Sequence, residues 1–353
     1  MYTLSNVARH HFPSADGDAV YVLDLHRTAA GLASITSDQR LTLLDPARFG
    51  GGGSGAASSW ALAHGGGVSA LRVFDGPAGL VCTAGEDGGV AVWDLRAAGD
   101  AAKVAQFKAS DAPILSMACS ASTQTIAVGT ELANHTASIY LWDVRSTPAA
   151  RAHYQEVHSD DVTTLRFHPT QAALLLSGST DGLVNVYDTR VVDEDELTLQ
   201  TLNLGASVHD AGFLGGSSDS TDAASSEVYA LSHDERFALY DVAEHRASGD
   251  ATQAFGDLRE VLPGVQYVAG VTPKTDGSGA VIGAGSQDKQ HFELVFMARD
   301  PARQAWVLDR DNGVGLPGAH GEEIVRSFCF FDEEQLVFTA GEDGNIKAWR
   351  PGS

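Results

Sequence analysis

One spacing recurs three times in this chain without a residue gained or lost: His64, Thr83, Asp87, Trp93; His158, Ser177, Asp181, Tyr187; and His320, Thr339, Asp343, Trp349. Each His precedes its aromatic by 29 residues, the hydroxyl stands four before the Asp, and the Asp stands six before the aromatic. A looser echo, an Asp six residues before an apolar residue followed by Asp, appears at Asp38 with Leu44-Asp45 and at Asp234 with Tyr240-Asp241. Self-similarity at a period of about 40 to 50 residues is the mark of a stacked or circular array, whose units bury their apolar faces only against one another.

The ends of the repeat are Leu44-Asp45, Trp93-Asp94, Trp142-Asp143, Tyr187-Asp188, Tyr240-Asp241, Phe296-Met297 and Trp349-Arg350, which makes seven units. Within a unit the pattern is β, because short apolar or alternating runs are broken by Gly, Asp, Ser and Thr at regular intervals. The fourth unit shows it best. Val162 to Phe167 reads as a strand, His168-Pro169-Thr170 as a turn, Ala173 to Gly178 as a second strand, Thr180-Asp181-Gly182 as a turn, and Leu183 to Tyr187 as a third strand. Pro in the first turn and Asp-Gly in the second supply the dihedrals such turns need.

The runs from His158 through Arg190 and from His320 through Trp349 resemble WD repeats, the blade units of β-propellers. The resemblance extends from about Ala19 to Arg350 and implies an all-β, seven-bladed WD40 β-propeller in a single domain. Its units are expected at about 17–48, 60–100, 105–148, 153–200, 205–246, 262–310 and 318–350. Only four residues follow Trp349, too few for an outer strand, while Tyr2 to Phe12 precedes the first strand of blade one, expected at Ala19 to Leu25. The family solution, an N-terminal strand that completes the last blade, fits this arithmetic and removes an exposed sheet edge. Leu4 to Ala8 is therefore expected beside Ile346 to Trp349.

The same quartets contain the residue types of a hydrolase triad in Ser177, His158 and Asp181. A triad is needed once, whereas this set recurs in three blades with an aromatic at the same offset. A buried Trp or Tyr donor needs an acceptor and a buried neutral His needs one of each, so a closed hydrogen-bond chain rigidifies the blade. The resemblance implies that chain: indole to hydroxyl, hydroxyl to His, His to Asp. Losing one member, as in Asp181→Ala, is expected to cost about 1 to 3 kcal/mol. Blades one, three, five and six depart from the quartet; blade three has Glu131 and a longer turn, Leu132 to Thr136, before Trp142. Those blades are expected to be looser.

Other chemistry is thin. Gly85 to Gly89 and Gly341 to Gly344 sit in turns that open no helix, so they are not phosphate loops. His10-His11 and His64 lack a second metal-ligand cluster, and Cys82, Cys119 and Cys329 are scattered without metal spacing, which assigns them to packing. No catalytic residue, metal or cofactor is expected.

Net charge is -23, and residues 177 to 353 hold most of it, with 12 basic and 30 acidic side chains against 11 and 16 in residues 1 to 176. Such a field disfavours nucleic acid and anionic membranes and favours either plain solvation or a basic protein partner. No apolar run approaches the ~18 residues of a membrane span, and the first residues lack a signal-peptide pattern, so a cytosolic or nuclear location is expected. Gly50 to Gly55 with Ala56 to Ser59, and Gly215 to Ser226, read as low-complexity loops. Asp193, Glu194, Asp195 and Glu196 form the densest acidic run and a candidate partner-binding segment.

Arg stands two residues after the aromatic-Asp pair in three successive blades, at Arg96, Arg145 and Arg190. Leu80 to Arg96 resembles the box by which WD-repeat substrate receptors dock onto the adaptor of cullin-4 ubiquitin ligases, which makes these arginines candidate partner-binding residues; the alternative is pairing with an acidic residue on the blade rim. Trp60, Tyr154 and Trp306 lie outside the quartets and read as packing between blades or as interface anchors. The reading as a whole is a non-enzymatic protein-interaction scaffold, with a ligase substrate receptor and an acidic chaperone of a basic client as alternatives.

Overall fold

The computed structural model describes the chain except residues 14–18, 50–55, 63, 147–148, 215–226, 243–248, 275, 301 and 353. Seven innermost strands, Val22–Thr28, Val68–Asp75, Ile114–Ser120, Val162–Phe167, Val208–Phe213, Tyr267–Pro273 and Val325–Phe331, each begin a meander of four antiparallel strands. All but Tyr267–Pro273 open on a buried Val or Ile, and every one breaks register after such a residue near its start, between Val22 and Asp24 for example and between Val268 and Gly270; Val68–Asp75 breaks a second time, between Val73 and Asp75. A bulge at one place in every innermost strand sharpens the local twist, and it does so alike in all seven blades.

Five blades are separate four-stranded sheets; blades six and seven are joined into one eight-stranded sheet. The join is the N-terminal strand Tyr2–His11. It pairs antiparallel with Asn345–Pro351, from Leu4 opposite Pro351 to His11 opposite Asn345, and thereby closes the last blade as expected from its residues. On its other side Tyr2 and Thr3 run parallel to Val314 and Gly315 in the outer strand of blade six, Ala305–Pro317. The join is short, limited to these two residue pairs.

The apolar residues collect into seven cores, one between each consecutive pair of blades. Between blades one and two, Ile35, Leu41 and Trp60 meet Leu71, Val81 and Trp93. The ring-closing core, between blades seven and one, joins Phe331, Phe338 and Ile346 to Val22, Leu25 and Leu32. Each fully buried Leu, Ile or Phe contributes about 1.5 to 3 kcal/mol, so every blade is held by two neighbours and no blade is terminal.

The unit boundaries differ from those expected. Trp60 lies on the outer strand of blade one, Ala56–Ala61, and Tyr154 on that of blade three, Ala152–Tyr154, whereas both were assigned to the start of the following unit. Outer strands are irregular, from three residues in Ala152–Tyr154 to thirteen in Ala305–Pro317, and Lys103–Lys108 is exposed along nearly its whole length, so they carry no period-two signal. Ala56 to Ser59, expected to belong to a flexible connection, is therefore strand. The low-complexity runs Gly50 to Gly55 and Gly215 to Ser226 lie outside the described residues. Trp60, Tyr154 and Trp306 are all buried and pack within the ring.

Candidate functional site

In an antiparallel four-strand meander, the turn from second to third strand and the link to the next blade fall at one end. The turns from first to second and from third to fourth fall at the other. The quartets occupy the first end. His64 comes from the link between blades one and two, Thr83 from the second strand of blade two, Asp87 from its turn, and Trp93 from the third strand. The indole of Trp93 donates to Thr83 Oγ1 at 3.0 Å, His64 Nε2 lies 3.0 Å from the same hydroxyl, and His64 Nδ1 lies 3.3 Å from Asp87 Oδ1. With the indole donating, the hydroxyl proton goes to Nε2, which leaves Nδ1 protonated and donating to the carboxylate.

The other two quartets repeat this geometry. In blade seven Trp349 donates to Thr339 at 2.9 Å, His320 Nε2 is 2.8 Å from Thr339 Oγ1, and His320 Nδ1 is 2.6 Å from Asp343. In blade four the phenol of Tyr187 replaces the indole, 2.7 Å from Ser177 Oγ, with His158 at 2.6 Å from Ser177 and 3.0 Å from Asp181. Burial alone would raise the Asp343 pKa, but hydrogen bonds from His320 and Asn345 and the nearby Lys347 outweigh it and hold it at about 2. Burial lowers the pKa of His64, which favours the neutral ring that the chain of donors requires. The Asp turn closes on a residue with positive φ, Gly88 at 73°, Gly182 at 88° and Gly344 at 70°, a conformation glycine adopts without a Cβ clash.

Ser177 is fully buried, and its oxygen lies between a phenol and an imidazole. That geometry makes the triad residue types a brace between blade link, sheet and turn. Blade three shows the converse: Val128 occupies the register position of the hydroxyl, and the buried Trp142 Nε1 has no hydrogen-bond partner.

Arg96, Arg145 and Arg190 stand at the opposite end, just past the third strands. Each folds back on the Asp two residues before it. Arg96 donates from Nε to Asp94 Oδ1 at 2.9 Å and from Nη2 to Oδ2 at 2.8 Å; Arg145 with Asp143 and Arg190 with Asp188 repeat this fork. The pairs hold Asp94 and Asp143 at about 2, chiefly through the guanidinium hydrogen bonds. Asp193 to Glu196 lies between the third and outer strands of blade four. Glu194 Oε1 accepts the backbone N–H groups of Gln155 and Glu156 at 2.5 and 2.6 Å.

A set that the sequence did not single out lines the innermost strands. Asp24 in blade one accepts from Ser327 in blade seven at 3.0 Å and from Arg72 in blade two at 3.0 Å. Arg72 also donates to the Met117 carbonyl of blade three. Arg166 in blade four donates to Asp210 of blade five at 3.3 Å, which also accepts from Tyr229, whose hydroxyl reaches the Val271 carbonyl of blade six. Burial opposes ionisation of Asp24, but His26, Arg72 and Ser327 overcome it and hold the carboxyl far below its usual range. Arg72 and Arg166 stand fifth in their innermost strands and Asp24, Asp210 and Ser327 third, but the residue type at each position changes from blade to blade, so no constant motif marks the set. Among the described residues no three His, Cys, Asp or Glu are grouped as metal ligands.

Seven four-stranded blades closed by the N-terminal strand, with His, hydroxyl, Asp and aromatic braces in three of them, define a β-propeller of the WD-repeat class. The family model for the WD domain, G-beta repeat, matches residues 151–188 and 315–350. An uncharacterized WD repeat-containing protein of Schizosaccharomyces pombe is 31% identical over 284 residues, covering 76% of this chain and 79% of its own length. The chain belongs to the WD-repeat family. An uncharacterized WD repeat-containing protein of Saccharomyces cerevisiae is 33% identical over 227 residues, 64% of this chain, and the match spans only 53% of that relative's length. The WD repeat-containing protein 89 homolog of Dictyostelium discoideum is 36% identical over 106 residues, 30% of this chain and 26% of its own. Among solved structures, a chain in the crystal structure of a mitotic checkpoint complex matches 99% of this chain and 93% of its own with TM-score 0.71 and 16% identity, a likeness of fold alone.

Proposed function

We propose that this chain is a non-enzymatic protein-interaction platform. The observation that carries the reading is the conversion of its catalytic-looking residues into buried braces: His158, Ser177 and Asp181 are consumed in holding blade four, as are their counterparts in blades two and seven. A braced ring presents preorganised loops on both faces, and preorganised loops lose little entropy on binding. Affinity purification of the full chain with quantitative mass spectrometry, at low and moderate salt, tests it. Stoichiometric protein partners are the expected result, and a chain that retains none under either condition refutes the platform.

A second reading, an acidic escort of a basic client, is favoured by how the charge divides. The quartet end carries exposed Glu86, Glu131, Glu156, Asp288, Glu322 and Glu323 in its turns and links. There the exposed bases Arg40, Lys108, Arg236 and Arg259 each sit beside an Asp and Arg326 beside Glu342, and Lys289 is exposed as well. Partner affinity that falls steeply with salt supports it, and a flat salt dependence counts against it. The ligase-receptor reading rests on Arg96, Arg145 and Arg190, whose guanidinium groups already hold bidentate carboxylates, so an adaptor would have to displace Asp94, Asp143 and Asp188.

A further inference from the structure

We propose that a cavity in blade four binds one cationic side chain, a lysine or arginine, of a protein partner. The proposal rests on the platform reading above and assigns it a site. The cavity, of about 290 Å³, opens between the link entering blade four and that blade's third and outer strands. Glu156, Glu194 and Asp195 supply carboxylates, Thr198 and Thr201 hydroxyls, and no basic residue lines it.

A second observation is independent of the acidic residues. Asn185, on the third strand, lines the cavity yet is only 3% exposed. Its Nδ2 donates to the Val157 carbonyl at 2.8 Å, which fixes the amide and leaves the buried Oδ1 without a hydrogen-bond partner. A buried acceptor left unmade costs free energy that a donor from a ligand recovers. The walls are preorganised as well, because the N–H groups of Gln155 and Glu156 pin Glu194 in place. Carboxylates, a free amide oxygen and two hydroxyls form an acceptor-rich pocket, and an ammonium or guanidinium brings donors only. A metal ion is the poorer occupant, since the described residues group no three carboxylate, His or Cys ligands at metal-binding geometry.

The test uses the isotopically labelled full chain in NMR titrations with butylammonium and propylguanidinium, with butanol as the neutral counterpart and spermidine as the free-polyamine counterpart. Saturable shifts at the Asn185 side-chain amide and the Gln155 and Glu156 N–H groups are expected with both cations and absent with butanol. Asp195→Asn and, separately, Glu194→Gln should weaken binding at least five-fold, whereas neutralising Asp332, Glu333 and Glu334 together should change it less than two-fold. Glutamine at 194 keeps the acceptor for the two backbone donors, and Asp195→Asn leaves them untouched. Equal weakening by pocket and control variants, absence of saturation at Asn185, or spermidine binding more than ten-fold tighter than butylammonium each overturns the proposal. Partners that co-purify equally with wild type and with Asp195→Asn overturn the pocket but not the platform; a pocket that binds the cations in a chain retaining no protein refutes only the platform.

Discussion

Glu235 occupies the turn position that glycine fills in blades two, four and seven, with φ of 65° and a side chain only 9% exposed. Burial pushes its carboxyl up to about 7, helped by Asp257 and Asp234 and opposed by the Val268 N–H and Arg259. The native state thus holds this proton more tightly than the unfolded chain, where the ordinary value is 4.5. Its contribution to stability is fully present below about pH 4.5 and is lost as pH rises through 7. Above that pH the charged form is penalised by roughly 3 kcal/mol at most, and partial solvent contact at the turn reduces this to about 2. Glu235→Gln keeps the shape and the acceptor for Val268 but cannot ionise. Urea unfolding at pH 4, 6, 7 and 8 should show near-equal stabilities at pH 4 and a variant more stable by about 2 kcal/mol at pH 8. A difference that does not change with pH refutes the reasoning.

Three further outcomes are expected. Trp349→Phe should destabilise the chain by about 1 to 2 kcal/mol more than Trp142→Phe in denaturant titrations, because only Trp349 loses a hydrogen bond, to Thr339 at 2.9 Å, whereas Trp142 Nε1 has no partner. Asp24→Ala strips the counter-ion from Arg72 and unties blades seven, one and two, so a loss of about 3 kcal/mol is expected; a loss under ~1 kcal/mol would show that the belt is idle. Arg96→Ala with Arg145→Ala removes exposed forks and should leave thermal stability nearly unchanged, and unchanged capture of a cullin-4 adaptor by that variant sinks the ligase reading.

Much of the fold was legible because the repeat writes its own period. Val162–Phe167 and the start of Leu183–Asp188 fall where the alternation places them, and the second strand, Leu174–Ser179, is one residue off. The outer strands were not legible. Lys103–Lys108 is exposed at every residue but Phe107, and Ala152–Tyr154 is three residues long, so no alternation marks them. The quartets were legible as braces because repetition itself argues against catalysis. The alternative pairing for Arg96, an acidic residue on the rim, is the one observed, with its own Asp94.

The chain's residues by themselves determined the number of blades and the three braces, since both depend on local spacing repeated along one dimension, whereas the closing strand, which pairs Leu4 to His11 with Pro351 to Asn345, was expected from the family resemblance. Only the tertiary structure decided that Asp24, Arg72 and Ser327 meet, that Glu235 is buried in a glycine's conformation, and that Asn185 faces three carboxylates across one cavity. Those contacts join residues up to 303 positions apart. Ring closure, not sequence proximity, sets which side chains become neighbours.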